Sequence, residues 1–104
     1  NAILFPHTMR YNLEACAERQ RRIAEAIGVA ERRMSDTEAG LAAADAVDGL
    51  CRVLELPRTL REVDVPAEGL ASIAAATLHD RSLRTNPKPI ADAGPIMAVL
   101  RAAY

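Results

Sequence analysis

The chain has 104 residues and a formal net charge of -1, with a pI near 6.1. That length bounds it to one small domain or a piece of a larger one, and the charge argues against a nucleic-acid or anionic-membrane surface, which needs a positive excess. Half of the residues are hydrophobic, but 21 of them are alanine and only 3% of the chain is aromatic, which suits close-packed helices and excludes a β-sandwich or barrel.

From the N-terminus, residues 3–17 place Ile3, Leu4, Met9, Leu13 and Cys16 at helical spacings. They predict a buried helix, with Pro6 either in its first turn or kinking it. Residues 18–28 continue as an amphipathic helix in which Ile23 and Ile27 lie one turn apart, and Gly28 is a natural C-terminal stop. Residues 29–34 read as an exposed connection. Ser35-Asp36-Thr37-Glu38 is a capping box opening a third helix, and its acids suit the positive end of the helix dipole. Leu41, Ala44, Val47, Leu50, Cys51 and Leu54 make its apolar stripe, and Pro57 ends it. Gly49 inside that helix costs about 1 kcal/mol against alanine, which a close helix–helix contact there would explain.

Thr59-Leu60-Arg61-Glu62 repeats the capping-box spacing for one turn, and residues 63–66 form a short loop. Pro66 serves as the first residue of a helix to about His79, with Leu70, Ile73, Ala74, Thr77 and Leu78 as its stripe. Residues 80–90 are a loop, because Pro87 and Pro89 exclude regular helix and Asn86 before Pro87 is pushed to an extended conformation. Asp92 caps a last helix to Ala103 with Ile96, Val99 and Leu100 inward. The expected fold is all-α: a compact bundle of about five helices over residues 1–104. No apolar run approaches the ~18 residues needed to span a bilayer. The start of the chain lacks the pattern of a signal peptide, so a cytoplasmic location is expected.

The residues alone assemble no catalytic site. Cys16 and Cys51 read as two buried thiols, with a disulfide or redox pair as the minor alternative. His7 and His79 are the only histidines and neither has a second ligand at metal spacing. His7 reads as a hydrogen-bonded helix histidine, or as a residue at the edge of a site built elsewhere. Arg19, Arg21 and Arg22 are flanked by Glu14, Glu18 and Glu25, the pattern of a solvated helix face with ion pairs. No glycine-rich phosphate loop or nucleophile elbow is present. The proline-bracketed loop is the exception. Ser82, Thr85 and Asn86 place polar side chains on an ordered loop between two helices, either an ordinary connection or a place for ligand contact.

Three segments resemble the iron-containing (group III) alcohol dehydrogenases. The stretch Asn1-Ala2-Ile3-Leu4-Phe5-Pro6-His7-Thr8-Met9-Arg10-Tyr11-Asn12 is similar to a family run of Asn-Ala, three apolar residues, Pro-His and a Met-Arg-Tyr/Phe-Asn ending. Asp80-Arg81-Ser82-Leu83-Arg84-Thr85-Asn86-Pro87-Lys88 resembles the family's late loop, in which a small residue or Cys precedes Asn-Pro-Arg/Lys. Val99-Leu100-Arg101-Ala102-Ala103-Tyr104 looks like its closing helix. Their order and separation agree with the C-terminal portion of the family.

The resemblance implies the end of the C-terminal helical domain of a dehydroquinate synthase-like, iron alcohol dehydrogenase fold. The parent would be an NAD(P)-dependent oxidoreductase acting on primary alcohols or their aldehydes, with a maleylacetate reductase-type substrate also open. A divalent metal, Fe²⁺ or Zn²⁺, would polarise the substrate oxygen while hydride moves to the nicotinamide. In the family the metal ligands are an Asp and three His, and all lie upstream of the Pro-His match. His7 is therefore not carried over as a ligand. No metal, catalytic or cofactor-binding residue is assigned, and the chain alone is expected to bind neither metal nor nucleotide. Ser82 matches a position facing the substrate cleft, Thr85 and Asn86 would shape that loop, and Arg84 stands where an apolar residue is common. The implied partner is a missing N-terminal nucleotide-binding domain. Without it, self-association through an uncovered apolar face is expected. The rival expectation is a free-standing helical interaction module without catalysis.

Overall fold

The computed structural model describes residues 1–104 and contains four α-helices and no strand. They are α1 (Phe5–Ala26), α2 (Asp36–Val53), α3 (Leu70–Thr77) and α4 (Ala93–Ala102). Three 3-10 turns, Arg61–Val63, Ala67–Gly69 and Arg81–Thr85, lie in the connections. No helix is long and apolar enough to cross a membrane.

Pro6 sits in the first turn of α1, where its missing N–H would have had no helical partner. The break in α1 comes instead at Cys16, whose backbone leaves the helical region (φ -146°, ψ 33°). It is sharp. The Gln20 amide donates to the Met9 carbonyl at 2.8 Å, although 11 residues of straight helix would separate them by about 16 Å. The Cys16 thiol donates to the Asn12 carbonyl at 3.1 Å. Side chains bonded into the backbone ladder are a recognised cause of helix kinks. The two arms, 5–15 and 17–26, together with α2, α3 and α4 make up the expected five rods.

Helix ends follow the sequence closely. Gly28 takes a left-handed conformation (φ 78°) just past α1. At α2 the Ser35 hydroxyl accepts from the Glu38 N–H (3.1 Å) and the Glu38 carboxylate accepts from the Ser35 N–H (2.7 Å). Asp92 accepts from the Gly94 N–H (2.8 Å) ahead of α4. The second box forms only in part. Thr59 accepts from the Glu62 N–H, while the Glu62 carboxylate accepts from the Arg58 N–H rather than that of Thr59. Pro66 does not open a helix. It is extended (ψ 143°) ahead of the turn Ala67–Gly69, and α3 is correspondingly short.

The buried face of α2 differs from the expected stripe. Ala39, Gly40, Ala43, Ala44 and Cys51 are buried, whereas Leu50 (56% exposed), Leu54 (58%) and Leu41 lie outside with Val53 (79%). The reason is distance. A Cβ on Gly40 would collide with Leu13 Cδ1 and stand 3.3 Å from Gln20 Cβ. Helices that close can keep only the smallest side chains between them. The close contact expected at Gly49 is absent, because a Cβ there would meet nothing within 4 Å. Residues 29–34 are less exposed than expected, since Val29, Ala30 and Met34 pack on this core.

A second core is built of larger residues: Leu60, Leu70, Ala74, Ile96, Leu100 and Ala103. The Leu60 N–H donates to the Ala103 carbonyl at 2.8 Å, and Arg61 lies over the Tyr104 ring at 4.7 Å. Both tie the chain end to the turn after α2. The molecule is a slab 18 Å thick, about two helix diameters, and no large side chain in it is wholly buried.

Candidate functional site

The loop after α3 begins with a side-chain cap. Asp80 Oδ1 accepts from the Ser82 N–H (2.8 Å) and from the Ser82 hydroxyl (2.7 Å). These bonds hold the Asp80 carboxyl below the ordinary carboxylate value, the hydroxyl contributing most. The turn Arg81–Thr85 follows, and the Thr85 hydroxyl donates to the Ser82 carbonyl at 2.9 Å. Ser82 and Thr85 are exposed, and each hydroxyl oxygen keeps lone pairs for a ligand.

Asn86 has a different job. It is extended before Pro87 (ψ 132°), as the sequence predicts. Its amide makes a reciprocal pair with Asn12 on α1: Asn12 Nδ2 donates to Asn86 Oδ1 (3.0 Å) and Asn86 Nδ2 donates to Asn12 Oδ1 (2.8 Å). Asn86 Nδ2 also donates to the Lys88 carbonyl at 2.6 Å. The side chain is thus spent on holding the loop. The Lys88 ammonium adds two more ties to α1, an ion pair with Glu14 at 3.0 Å and a cation–π contact 4.9 Å from the Tyr11 ring centre. The hydrogen bond to Glu14 is the main reason the Lys88 pKa is raised.

The three loop residues therefore share one rigid segment, but only Ser82 and Thr85 are left to meet a ligand. Asn12 is the positioning residue that sequence reading missed. Its signal was a polar residue flanking Leu13 on a helix predicted to be buried.

His7 lies on α1, with Arg10 and, on α2, Asp48 as the charges that act on it. Its ring has no protein hydrogen-bond partner, which corrects the expectation of a hydrogen-bonded helix histidine. Burial, then the Arg10 charge, lowers its pKa below the ordinary 6.5, while Asp48 on α2 opposes them. Both cysteines are free; Cys51 is buried and Cys16 is half-exposed at the kink.

No three His, Cys, Asp or Glu side chains converge anywhere in the chain. A catalytic divalent metal needs about three protein ligands. These residues do not fit such a group. Beneath the loop lies a cavity of about 180 Å³ between α1, α3 and α4, with Thr8, Tyr11, Leu83, Asn86, Ile96 and Leu100 in its wall.

The comparisons with known proteins decide the family. The model of the Fe-containing alcohol dehydrogenase family, C-terminal, matches residues 1–104. The chain belongs to the iron-containing alcohol dehydrogenase family. Within it, lactaldehyde reductase of Escherichia coli (strain K12) is 43% identical over 88 residues, covering 85% of this chain and 23% of that protein. The 1,3-propanediol dehydrogenase of Klebsiella pneumoniae is 32% identical over 104 residues, covering all of this chain and 27% of that protein. A crystal structure of 1,3-propanediol oxidoreductase superposes on the whole chain with a TM-score of 0.94 at 32% identity, over 27% of its own length. The chain thus spans about a quarter of the length of the relatives it matches. The resemblance read from its three segments is borne out, as is the all-helical class.

Proposed function

We propose that the chain is the C-terminal helical part of an NAD(P)- and metal-dependent oxidoreductase acting on primary alcohols or the corresponding aldehydes. The observation that carries this is the end-to-end superposition on one quarter of 1,3-propanediol oxidoreductase. In this reading the nucleotide and the metal ligands belong to the rest of the enzyme. The chain contributes a wall of the substrate cleft. Ser82 and Thr85 offer hydroxyls to the substrate oxygen, and Asn86, Asn12 and Lys88 hold the loop that carries them. His7 supports the site without touching substrate. The chain by itself is inactive and sits in the cytoplasm.

The thin slab supports the same reading, because Leu50, Val53 and Leu54 form an exposed apolar strip. We assign its cover to the remainder of the parent enzyme. If the chain is instead a free-standing interaction module, that strip is where a partner or a second copy would dock. A maleylacetate-type substrate falls within the same cleft reading.

The test is kinetic. An enzyme containing this chain, supplied with Fe²⁺ or Zn²⁺, should reduce NAD⁺ or NADP⁺ with short primary alcohols. Ser82→Trp should raise KM for the alcohol at least tenfold. No nicotinamide turnover with any alcohol or aldehyde in the panel would overturn the reading.

A further inference from the structure

The turn Arg81–Thr85 presents separate faces, because residues three apart in a 3-10 turn eclipse each other. Leu83, followed three residues on by Asn86, faces inward onto the pocket between α1, α3 and α4. Ser82 and Thr85 share a second, exposed face, and Arg81 and Arg84 share a third. The two hydroxyls on the exposed face are alike in one chemical respect: each has spent its only proton within the loop.

Ser82 Oγ lies 2.7 Å from Asp80 Oδ1, and Thr85 Oγ1 lies 2.9 Å from the Ser82 carbonyl oxygen. An ionised carboxylate and a carbonyl carry no hydrogen, so in both bonds the hydroxyl must donate. A hydroxyl has one proton and two lone pairs, so only lone pairs are left for a ligand. Turning the Ser82 hydroxyl to donate elsewhere gives up a bond to a charged group, which is about twice as strong as a neutral one. Two such oxygens on one face repel a carbonyl or alkoxide oxygen and accept from a group that keeps its hydrogen. The reacting oxygen of a dehydrogenation loses its hydrogen, so it is not the group they hold. An ammonium is another donor, but Arg81 and Arg84 outnumber the Asp80 carboxylate on this turn and disfavour a cation. A neutral hydroxyl remains.

We infer that Ser82 and Thr85 select a substrate with a second hydroxyl, a diol or a hydroxyaldehyde, by accepting from the hydroxyl that does not react. This rests on the dehydrogenase reading and narrows its substrate class. Asp80 acts through Ser82 as a positioning residue, because it fixes where the Ser82 proton points.

The complete enzyme containing this chain, with its metal and nicotinamide, tests this on matched alcohols. Each diol, 1,2-ethanediol or 1,3-propanediol, is paired with the alcohol that carries a methyl in place of the second hydroxyl, 1-propanol or 1-butanol. It is also paired with its monomethyl ether, which keeps the second oxygen but not the hydrogen. For at least one diol, kcat/KM should exceed that of both its matches by about tenfold. Ser82→Ala and Thr85→Val should each shrink that ratio, chiefly by raising KM for the diol. Asp80→Asn keeps a capping side chain but loosens its hold on the Ser82 proton, so the ether should gain on the diol. A loop that was merely disturbed would lower all the alcohols together. Turnover with no preference for a diol, a preference unchanged in both hydroxyl variants, or an ether that gains nothing in Asp80→Asn would overturn the inference and leave the dehydrogenase reading standing. No turnover of any alcohol or aldehyde would overturn both.

Discussion

Between α1 and α2 one core cluster is Met9 with the alanines Ala24, Ala39, Ala43 and Ala44, beside a single buried leucine, Leu13, whereas around α3 and α4 the cluster is Leu60, Leu70, Ile96 and Leu100 with Ala74 and Ala103. The first pair gains its stability by approach. Burying alanine costs no side-chain entropy, and small residues let two helix backbones close to contact distance. The second gains it by apolar area, at about 25 cal/mol per Å² removed from water. Large side chains on short elements also leave space, and the cavity lies on this side. The two cores should therefore fail in opposite ways: one by deletion, the other by addition.

Deletion in the leucine core should have the largest effect. Leu100→Ala enlarges a void that already exists and should cost about 2–5 kcal/mol, read from urea unfolding. Addition in the alanine core comes next. Gly40→Val drives a branched side chain against Leu13 and Gln20, and should cost about 1–3 kcal/mol. At Gly49 the same substitution meets no neighbour and relieves the helix of a glycine, so it should cost nothing. Equal costs at Gly40 and Gly49 would break the distinction between the cores. Ser35→Ala removes a cap without touching either core and should cost about 1 kcal/mol.

The smallest effect is one of pH. His7 has a folded pKa below its ordinary 6.5. As pH falls the unfolded chain takes up that proton first, so this residue's contribution favours folding above 6.5 and is lost below it. His7→Gln should flatten that part of the stability profile and leave the rest of the profile in place.

Local chemistry was legible in the sequence. Ser35 with Glu38, Asp92 and Gly28 each marked a helix end, because a cap is decided by residues within four positions of one another. Asn86 before Pro87 was readable for the same reason. What the sequence hid depends on distant partners. Helical spacing places Leu41, Leu50 and Leu54 on one stripe with Ala44 and Cys51, but the proximity of Leu13 and Gln20 to Gly40 turns the buried face toward Ala39, Gly40 and Ala43 and leaves those leucines outside. The fold at Cys16 needed the Gln20 amide to reach Met9, a bond no periodicity announces. The candidate loop was legible as Ser82, Thr85 and Asn86, yet its division of labour was not. That Asn86 is occupied follows from Asn12, 74 positions away.

The two cores meet function through that pair. The tight α1–α2 unit acts as a platform, and Asn12 and Glu14 anchor the loop to it across the looser side of the molecule. Asn12→Ala leaves Asn86 Oδ1 without its donor and frees the loop from the platform. The direct measurement is native-state hydrogen exchange on the wild-type chain and on Asn12→Ala. The amides of Ser82, Leu83 and Asn86, bonded within the loop to Asp80 and Leu83, should lose protection in the variant, while those of α2 keep theirs. Loss of protection in both regions together, or in neither, would contradict the account.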